Sequence, residues 1–386
     1  MNYLESISFK ITPDIMALLI LWFLLFLVRR NEMISKEKTR FFIVTIYVMG
    51  VVAVLEIITI LCEGSALIGI RRLHLTANVF ELSITPLVPI LMAITFNPKI
   101  VRKIQLLICP VIAYILFCIQ SSYLGLIFNI SAENSYSRGP LFLFNTAISI
   151  YTFCILLYSR HGIEAFSDMR ERRYLNYVYY LIALGTFIDL VSNNFYILWC
   201  CESLALLFYY IYTRELELKY DMLTKFMNYK YFVAHLEERV QEKEITMVVL
   251  EVTKLNVINE QFGFLRGDHY IETAAKVIQD SFQKTGDIYR LSGGKFCVIL
   301  NHTKEKAVIN CLCHMKLKMK KYKTNGVPLS IISGYASCQL EEFGRDKNER
   351  KREIIRHCFY AAEQKLKEEK RIEQSNMEEI DVEEKL

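Results

Sequence analysis

Two parts of different class are predicted: an N-terminal all-α bundle of seven transmembrane helices over residues 1–213, and a C-terminal α/β sandwich with a mainly antiparallel sheet over residues 221–374. Three observations predict it. The hydrophobic fraction is 53% and the mean hydropathy +0.24, both high for a soluble chain. The apolar runs crowd residues 11–213, whereas charged residues dominate the remainder. The charged remainder alternates strand and helix signals, the pattern of a layered α/β domain.

The apolar runs lie at about 11–28, 41–62, 75–96, 106–128, 141–159, 174–191 and 195–213. Seven spans place the termini on opposite sides. With the C-terminus inside, the inner loops 29–40, 97–105 and 160–173 hold five, three and four Lys or Arg, against one, two, one and none in the outer segments 1–10, 63–74, 129–140 and 192–194. This bias orients the N-terminus outside. The first run is read as a retained span. Lys10 is the only basic residue before it, no A-x-A site follows, and Arg29-Arg30 stop it. The net charge of +5 sits largely in these short loops, so membrane topology explains it better than nucleic-acid binding. Eleven cysteines show no disulfide spacing and read as reduced thiols. Cys311-x-Cys313-His314 falls in a helix, where i and i+2 side chains diverge, and does not read as a metal site.

Four carboxylates interrupt the apolar runs: Glu56, Glu81, Asp189 and Glu202. Charge at that depth is costly, so each calls for a partner or a purpose. Glu56, Glu81 and Glu202 are expected to line one outward-facing pocket for an unidentified ligand, with Tyr151, Tyr196 and Trp199 as candidate lining. The alternatives are bonding to a neighbouring helix or a wet boundary, which suits Asp189 best. The aromatics fit an interfacial belt equally well.

No Pro or Gly interrupts Thr213–Asp221, so residues 214–220 are expected to form a helical signalling linker rather than a slack tether. Glu244–Val252 is β-branched and ends at a carboxylate, as a buried strand does on reaching a site edge. His269–Phe282 has helical apolar spacing. Asp287–Ser292 and Lys295–Asn301 flank Gly293-Gly294, a hairpin signal. Thr303–Lys323 reads as helix, Leu329–Ser337 as strand and Glu349–Lys370 as helix; the acidic end 375–386 reads as an unstructured tail.

The segment Val248–Asp268, followed by the hairpin Tyr289–Leu300, resembles the core of the GGDEF family, which makes cyclic di-GMP from two GTP molecules. The resemblance covers about Tyr220–Gln374. Asp221-x-Leu223-Thr224 with Asn228 and Phe232 is similar to the family's opening, with Tyr229 in place of an arginine. Asn259 and Asp268 fall on the pair that reads guanine, and an amide beside a carboxylate matches that base's edge. Ala362-Glu363, Leu366 and Lys370 resemble the closing motif, which places Lys370 on a triphosphate contact and Gln374 on a family arginine. The membrane half resembles the multi-span sensor regions that precede signalling domains of the Firmicute type, on span number, Arg29-Arg30 and the placement of Pro86 and Pro89.

The resemblance also implies what is missing. Where the family has Gly-Gly-Asp-Glu-Phe, this chain has Ser292-Gly293-Gly294-Lys295-Phe296, so Gly294 and Lys295 stand on acidic catalytic positions. Family chemistry needs two Mg²⁺ ions against the triphosphate. Here Glu251 is the candidate ligand that remains, a methylene longer than the family aspartate, and Mg²⁺ tolerates displaced ligands poorly. Thr253 and Asn256 replace Asp and Lys. The inhibitory R-x-x-D motif falls on Gln283 and Gly286, with Asp287 one residue out of register. The expected function is a membrane-bound signalling protein, cytoplasmic in its GGDEF-type domain, that binds GTP or regulates a partner without making cyclic di-GMP. Gly293, Lys295 and Lys370 are expected at the phosphates, and a homodimer is the default assembly. An active cyclase with an unusual metal site and a dimerisation module without nucleotide are the alternatives.

Overall fold

The computed structural model describes residues 3–31, 34–65, 69–160, 169–191, 196–239, 244–283, 285–301, 305–324, 326–339 and 347–383. The chain divides into two compact units, Met1–Glu215 and Leu216–Leu386.

The first unit opens with α1 (Tyr3–Arg30), α2 (Lys36–Cys62), α3 (Ile70–Ile84) and α4 (Leu87–Phe96). Next come α5 (Val101–Leu107), α6 (Cys109–Leu124), the hairpin β1 (Phe128–Ile130) and β2 (Tyr136–Arg138), α7 (Leu143–Ser159), α8 (Met169–Val191) and α9 (Leu198–Lys219). Ser35 caps α2 through its side chain, which accepts from the Lys38 amide. The hairpin is stitched to the helix ends. Arg71 donates from Nε and Nη2 to the Ser131 and Ile130 carbonyls at 3.0 and 2.9 Å, and His74 bonds Asn134, whose amide reaches the Cys62 carbonyl.

Among the described residues, three helices are long and apolar enough to cross a membrane: Ile7–Arg30, Lys36–Cys62 and Ile70–Phe96. A bent pair, Pro98–Gln105 with Cys109–Leu124, would make a fourth. This corrects the expected seven spans. The run at 106–128 is split by a 67° bend, because Pro110 in the first turn of α6 cannot continue the helix before it. α7 has 17 residues, short for a span. α8 dilutes its apolar run with tyrosines, Asn176 and Asp189, and α9 carries Glu202 near its start and four charged residues from Arg214 to its end. Part of the loop at 160–173 and all of 192–194 lie outside the described residues.

The second unit contains β3 (Met227–Asn228), α10 (Tyr229–Arg239), β4 (Glu244–Val252), α11 (Leu255–Phe262), α12 (Phe264–Phe282), β5 (Gly286–Ser292), β6 (Lys295–Asn301), α13 (Glu305–Met319), the short strands β7 (Lys323–Thr324) and β8 (Val327–Pro328), β9 (Ile331–Gln339) and α14 (Lys347–Glu383). The main sheet has the order β3-β5-β6-β4-β9. It is mixed rather than mainly antiparallel, since the two-residue β3 joins β5 in parallel, with Met227 opposite Tyr289. The other ladders are antiparallel, and the register places Glu251 of β4 opposite Lys295 of β6 and Ile332 of β9.

β4 is an inner strand, between β6 and β9, and almost wholly buried, so both faces of the sheet are covered. Alternation decides which residue faces which layer. Val248, Leu250, Val252, Phe296 and Val298 pack with α12 and α13. Met247, Val249, Cys297 and Ile299 pack with Phe232 of α10 and with Ile355, Cys358, Ala362 and Leu366 of α14. Odd-numbered Glu251 and Lys295 continue the second set, and the strand ends therefore present their charges to α14. The expected unstructured end is corrected as well: residues 375–383 continue α14. Glu, Gln and Met are good helix formers, and no Pro or Gly stops them.

Candidate functional site

The hairpin turn is built first, because it carries the divergent residues. Gly293 has φ +45, a conformation that L side chains rarely adopt, and so closes the turn between β5 and β6. The Gly294 carbonyl accepts from the Val252 amide at 2.8 Å, which fixes the turn against the end of β4. A Cβ at Gly294 would meet Val252 Cβ at 3.1 Å and the Val252 carbonyl at 3.3 Å, so this glycine is also packed.

Arg290 holds the turn from the other side. Its Nε and Nη2 donate to the Gly293 carbonyl at 3.0 and 2.8 Å, and its Nη1 donates to Asp221 Oδ1 at 2.8 Å. Asp221 Oδ1 also accepts from the Thr224 amide and hydroxyl, both at 2.8 Å. Burial opposes the charge on Asp221. The Thr224 amide and the Arg290 guanidinium outweigh it, however, and hold the carboxyl below the usual carboxylate range. The D-x-L-T turn and the hairpin turn are thereby one hydrogen-bonded unit. Asn228 extends it, accepting from the Tyr231 amide to cap α10 and donating to the Leu218 carbonyl.

Next to this turn lies a cleft of about 680 Å³, lined by residues 251–257, 292–295, Lys370, Glu373 and Gln374. The structure thus gathers Glu251, Thr253, Asn256, Gly293, Gly294, Lys295, Lys370 and Gln374 in one place. The charges there are paired. Lys370 Nζ lies 2.6 Å from Glu251 Oε1, and Lys295 Nζ lies 2.5 Å from Glu363 Oε1. Glu373 accepts from the Ser330 hydroxyl at 2.9 Å. α14 therefore supplies both a cation and anions to the strand ends. Among the described residues, no group of three or more His, Cys, Asp or Glu could hold a metal ion.

Asn259 and Asp268 do not line this cleft. They lie on either side of the junction of α11 and α12, where Asn259 packs against Gly267, the residue before Asp268. Gly263, at φ +81, separates the two helices, and Gly267 lies under the Asn259 carboxamide, where any Cβ would collide with Oδ1. Asn259 is half-buried and Asp268 exposed. α11 links the two places, because Asn256 and Val257 line the cleft while Asn259 sits on the same helix.

Arg290, Glu363 and Glu373 carried no role in the sequence reading. A forked donor three residues before a Gly-Gly turn was the available signal for Arg290. Glu363 stood in the closing motif without an assigned role, because its partner Lys295 lies 68 residues away, and nothing in the sequence singled out Glu373. In the first unit, Glu56 and Glu202 are buried, and Glu81 accepts from the Thr59 hydroxyl at 3.2 Å. All eleven cysteines are free, and burial pushes the Cys297 and Cys358 thiols up, away from reactivity.

Residues 218–374 match the family model described as "Diguanylate cyclase, GGDEF domain". The chain is 32% identical over 85 residues to the probable diguanylate cyclase DgcJ of Escherichia coli (strain K12), covering 21% of this chain and 17% of that protein. It is 25% identical over 102 residues to the diguanylate cyclase DgcS of Shewanella oneidensis, covering 25% of this chain and 34% of that protein. It thus spans 17% and 34% of the length of these curated relatives. Among solved structures, the FimX GGDEF domain from Pseudomonas aeruginosa aligns with TM-score 0.33 at 14% identity, covering 39% of this chain and 94% of that one. The coiled coil and GGDEF domain of DgcB from Caulobacter crescentus, in complex with c-di-GMP, aligns with TM-score 0.33 at 20% identity, covering 41% and 87%. With its strand ends, hairpin turn and closing helix in place, the chain carries over residues 218–374 a GGDEF domain of the diguanylate cyclase family.

Proposed function

We propose that this is a multi-pass membrane signalling protein whose cytoplasmic GGDEF domain binds GTP or regulates a partner but does not make cyclic di-GMP. One observation carries the reading: at the strand ends beside the cleft, Glu251 and Lys295 are already taken up in two ammonium–carboxylate pairs, Lys370–Glu251 and Lys295–Glu363.

Cyclases of this family typically use Mg²⁺. The residues here do not fit that ion. Glu251 already faces an ammonium at 2.6 Å, Gly294 offers no ligand, and Lys295 brings positive charge to the same strand end. The cleft does suit an anion. Lys254, Lys295 and Lys370 line it, against Glu251 and Glu373. A triphosphate competing for Lys295 and Lys370 would exchange one charge-assisted pair for another. Asn259 and Asp268, on the two helices of the α11–α12 junction, offer the acceptors and donor that match guanine. Lys295, Lys370 and Gly293 are assigned to the phosphates, Asn259 and Asp268 to the base, and Gly294 to the catalytic position that lost its acid. Domains of this family often dimerise, and a homodimer is assigned on that ground.

The three apolar helices support membrane anchoring, and the Lys/Arg bias supports an N-terminus outside. α9 is unbroken through Arg214–Lys219, which supports a helical linker over residues 214–220. An active cyclase is the second reading, favoured by the printed names of the two curated relatives.

Calorimetry on the full chain in lipid nanodiscs tests the binding assignment. GTP should bind with affinity nearly independent of Mg²⁺ and at least tenfold tighter than ATP. Equal affinity for the two nucleotides would remove Asn259 and Asp268 from the base site.

A further inference from the structure

In the first unit, five carboxyl groups on five helices lie within one another's electrostatic reach, with Asp14, Glu56 and Glu202 buried, Glu81 half-buried and Asp189 exposed. The charged groups acting on Glu56 of α2, among the described residues, are Asp14 of α1, Glu81 of α3 and Asp189 of α8, and all are acidic. Asp14 and Asp189 act on Glu81 in turn, and Asp189 acts on Glu202 of α9. Arg138 is the cation whose field reaches Asp189. Like charges drawn together in this way are unfavourable unless something positive joins them.

A second observation points to what joins them. Asp14 is fully buried, and neither of its carboxylate oxygens has a hydrogen-bond partner. Glu56 Oε2 and Glu202 Oε2 are likewise buried and unmatched. Protonation would remove one charge, but it would leave an acceptor oxygen on each group without a donor. The indole of Trp199, buried at 4% exposure, donates to Glu56. The Tyr196 ring lies within the field of Glu63, Glu56, Glu81 and Asp189 and has Lys10 Nζ over it at 5.6 Å, so an ammonium group already sits in these surroundings. Orphaned carboxylate oxygens there call for N–H donors that carry positive charge, as a primary alkylammonium group supplies. A compact metal ion fits less well, since these acids do not close into a metal-holding group among the described residues.

We infer that Asp14, Glu56, Glu81, Asp189, Glu202 and Trp199 form a binding site for a small organic ammonium ligand inside the membrane-associated unit. Its hydrophobic body packs on the aromatics, and its cation takes the unmatched carboxylate oxygens. The site is independent of the nucleotide reading and would stand if that reading failed.

Trp199 is one of two tryptophans in the chain; the other, Trp22, is 70% exposed. Trp22→Phe therefore leaves Trp199 as the sole indole reporter. n-Butylammonium is titrated into this full chain in nanodiscs while fluorescence is read. Its uncharged counterpart butan-1-ol, potassium and magnesium are titrated in parallel. A saturable change with n-butylammonium alone is expected. Asp14→Asn and Glu56→Gln should each weaken it at least tenfold, whereas the exposed Glu37→Gln leaves it unchanged. An absent or non-saturable response to n-butylammonium would overturn the site, as would an equal response to the alcohol or to either inorganic cation, or a response that Asp14→Asn and Glu56→Gln both retain. The comparison of n-butylammonium with the alcohol needs no acid variant, so it decides the matter even where those variants misfold.

Discussion

Arg290 ties two turns that lie 69 residues apart in sequence, and its loss has a calculable cost. Arg290→Met keeps much of the side-chain stem and removes three hydrogen bonds: one to Asp221 at 2.8 Å and two to the Gly293 carbonyl. The Gly293 carbonyl lies at an exposed turn, where water replaces the guanidinium at little cost. The bond to Asp221 is different, because the two side chains are only 13% and 24% exposed. Removing a charge-assisted bond of this kind costs about 1.5–3 kcal/mol. Asp221 keeps its two bonds from Thr224, so the lower end applies, about 1.5–2 kcal/mol. In a domain of 150–250 residues this corresponds to a fall in Tm of roughly 3–8 °C. Hydrogen exchange read by mass spectrometry on peptides spanning residues 286–301, in the full chain in nanodiscs, measures the loss where it occurs. Asp221→Asn completes a double-mutant cycle, with an expected coupling of about 1 kcal/mol or more. Strict additivity of the two changes, or unaltered exchange in the hairpin, would refute the clamp.

Three further outcomes follow from the same geometry. Asp268→Ala should weaken GTP binding by about 5- to 150-fold, the equivalent of 1–3 kcal/mol for guanine donors left unmatched, with ATP unaffected in calorimetry. Gly267→Ala should displace the Asn259 carboxamide and lower GTP affinity while changing stability by less than about 1 kcal/mol, since the clash is with a side-chain end and alanine favours the helix. Asp221, depressed in the folded state, contributes stability that is present above the ordinary carboxylate value of about 3.9 and lost as pH falls through its lower folded value. The hairpin should therefore hold to below about pH 4 and open at higher pH in Arg290→Met, as read by exchange during acid titration.

The soluble fold was legible where local chemistry alone sets it. β4 and β6 have the bounds that the β-branched run and the Gly-Gly pair imply, because period and turn chemistry depend on near neighbours. α11 went unread. It has eight residues and follows Lys254 at φ +63, a conformation that sequence signals for non-glycine residues rarely announce. The mixed character of the sheet was equally hidden, since it rests on the two residues of β3. In the apolar half, composition showed length but not continuity, and so the bend before Pro110 was counted as part of a span. At the candidate site, Glu251 and Lys295 were legible as divergent positions. Their partners Lys370 and Glu363 were not legible as partners, because the pairing spans 119 and 68 residues and depends on how α14 lies along the strand ends.

A GGDEF domain with paired ammonium groups at its strand ends should no longer join two GTP molecules. Incubating the full chain in lipid nanodiscs with labelled GTP and Mg²⁺, and separating the nucleotides by chromatography, measures this directly. GTP is expected to be retained by the protein, with no cyclic di-GMP formed. Sustained conversion of GTP to cyclic di-GMP, lost in Glu251→Gln, would contradict this and establish a working metal site around Glu251.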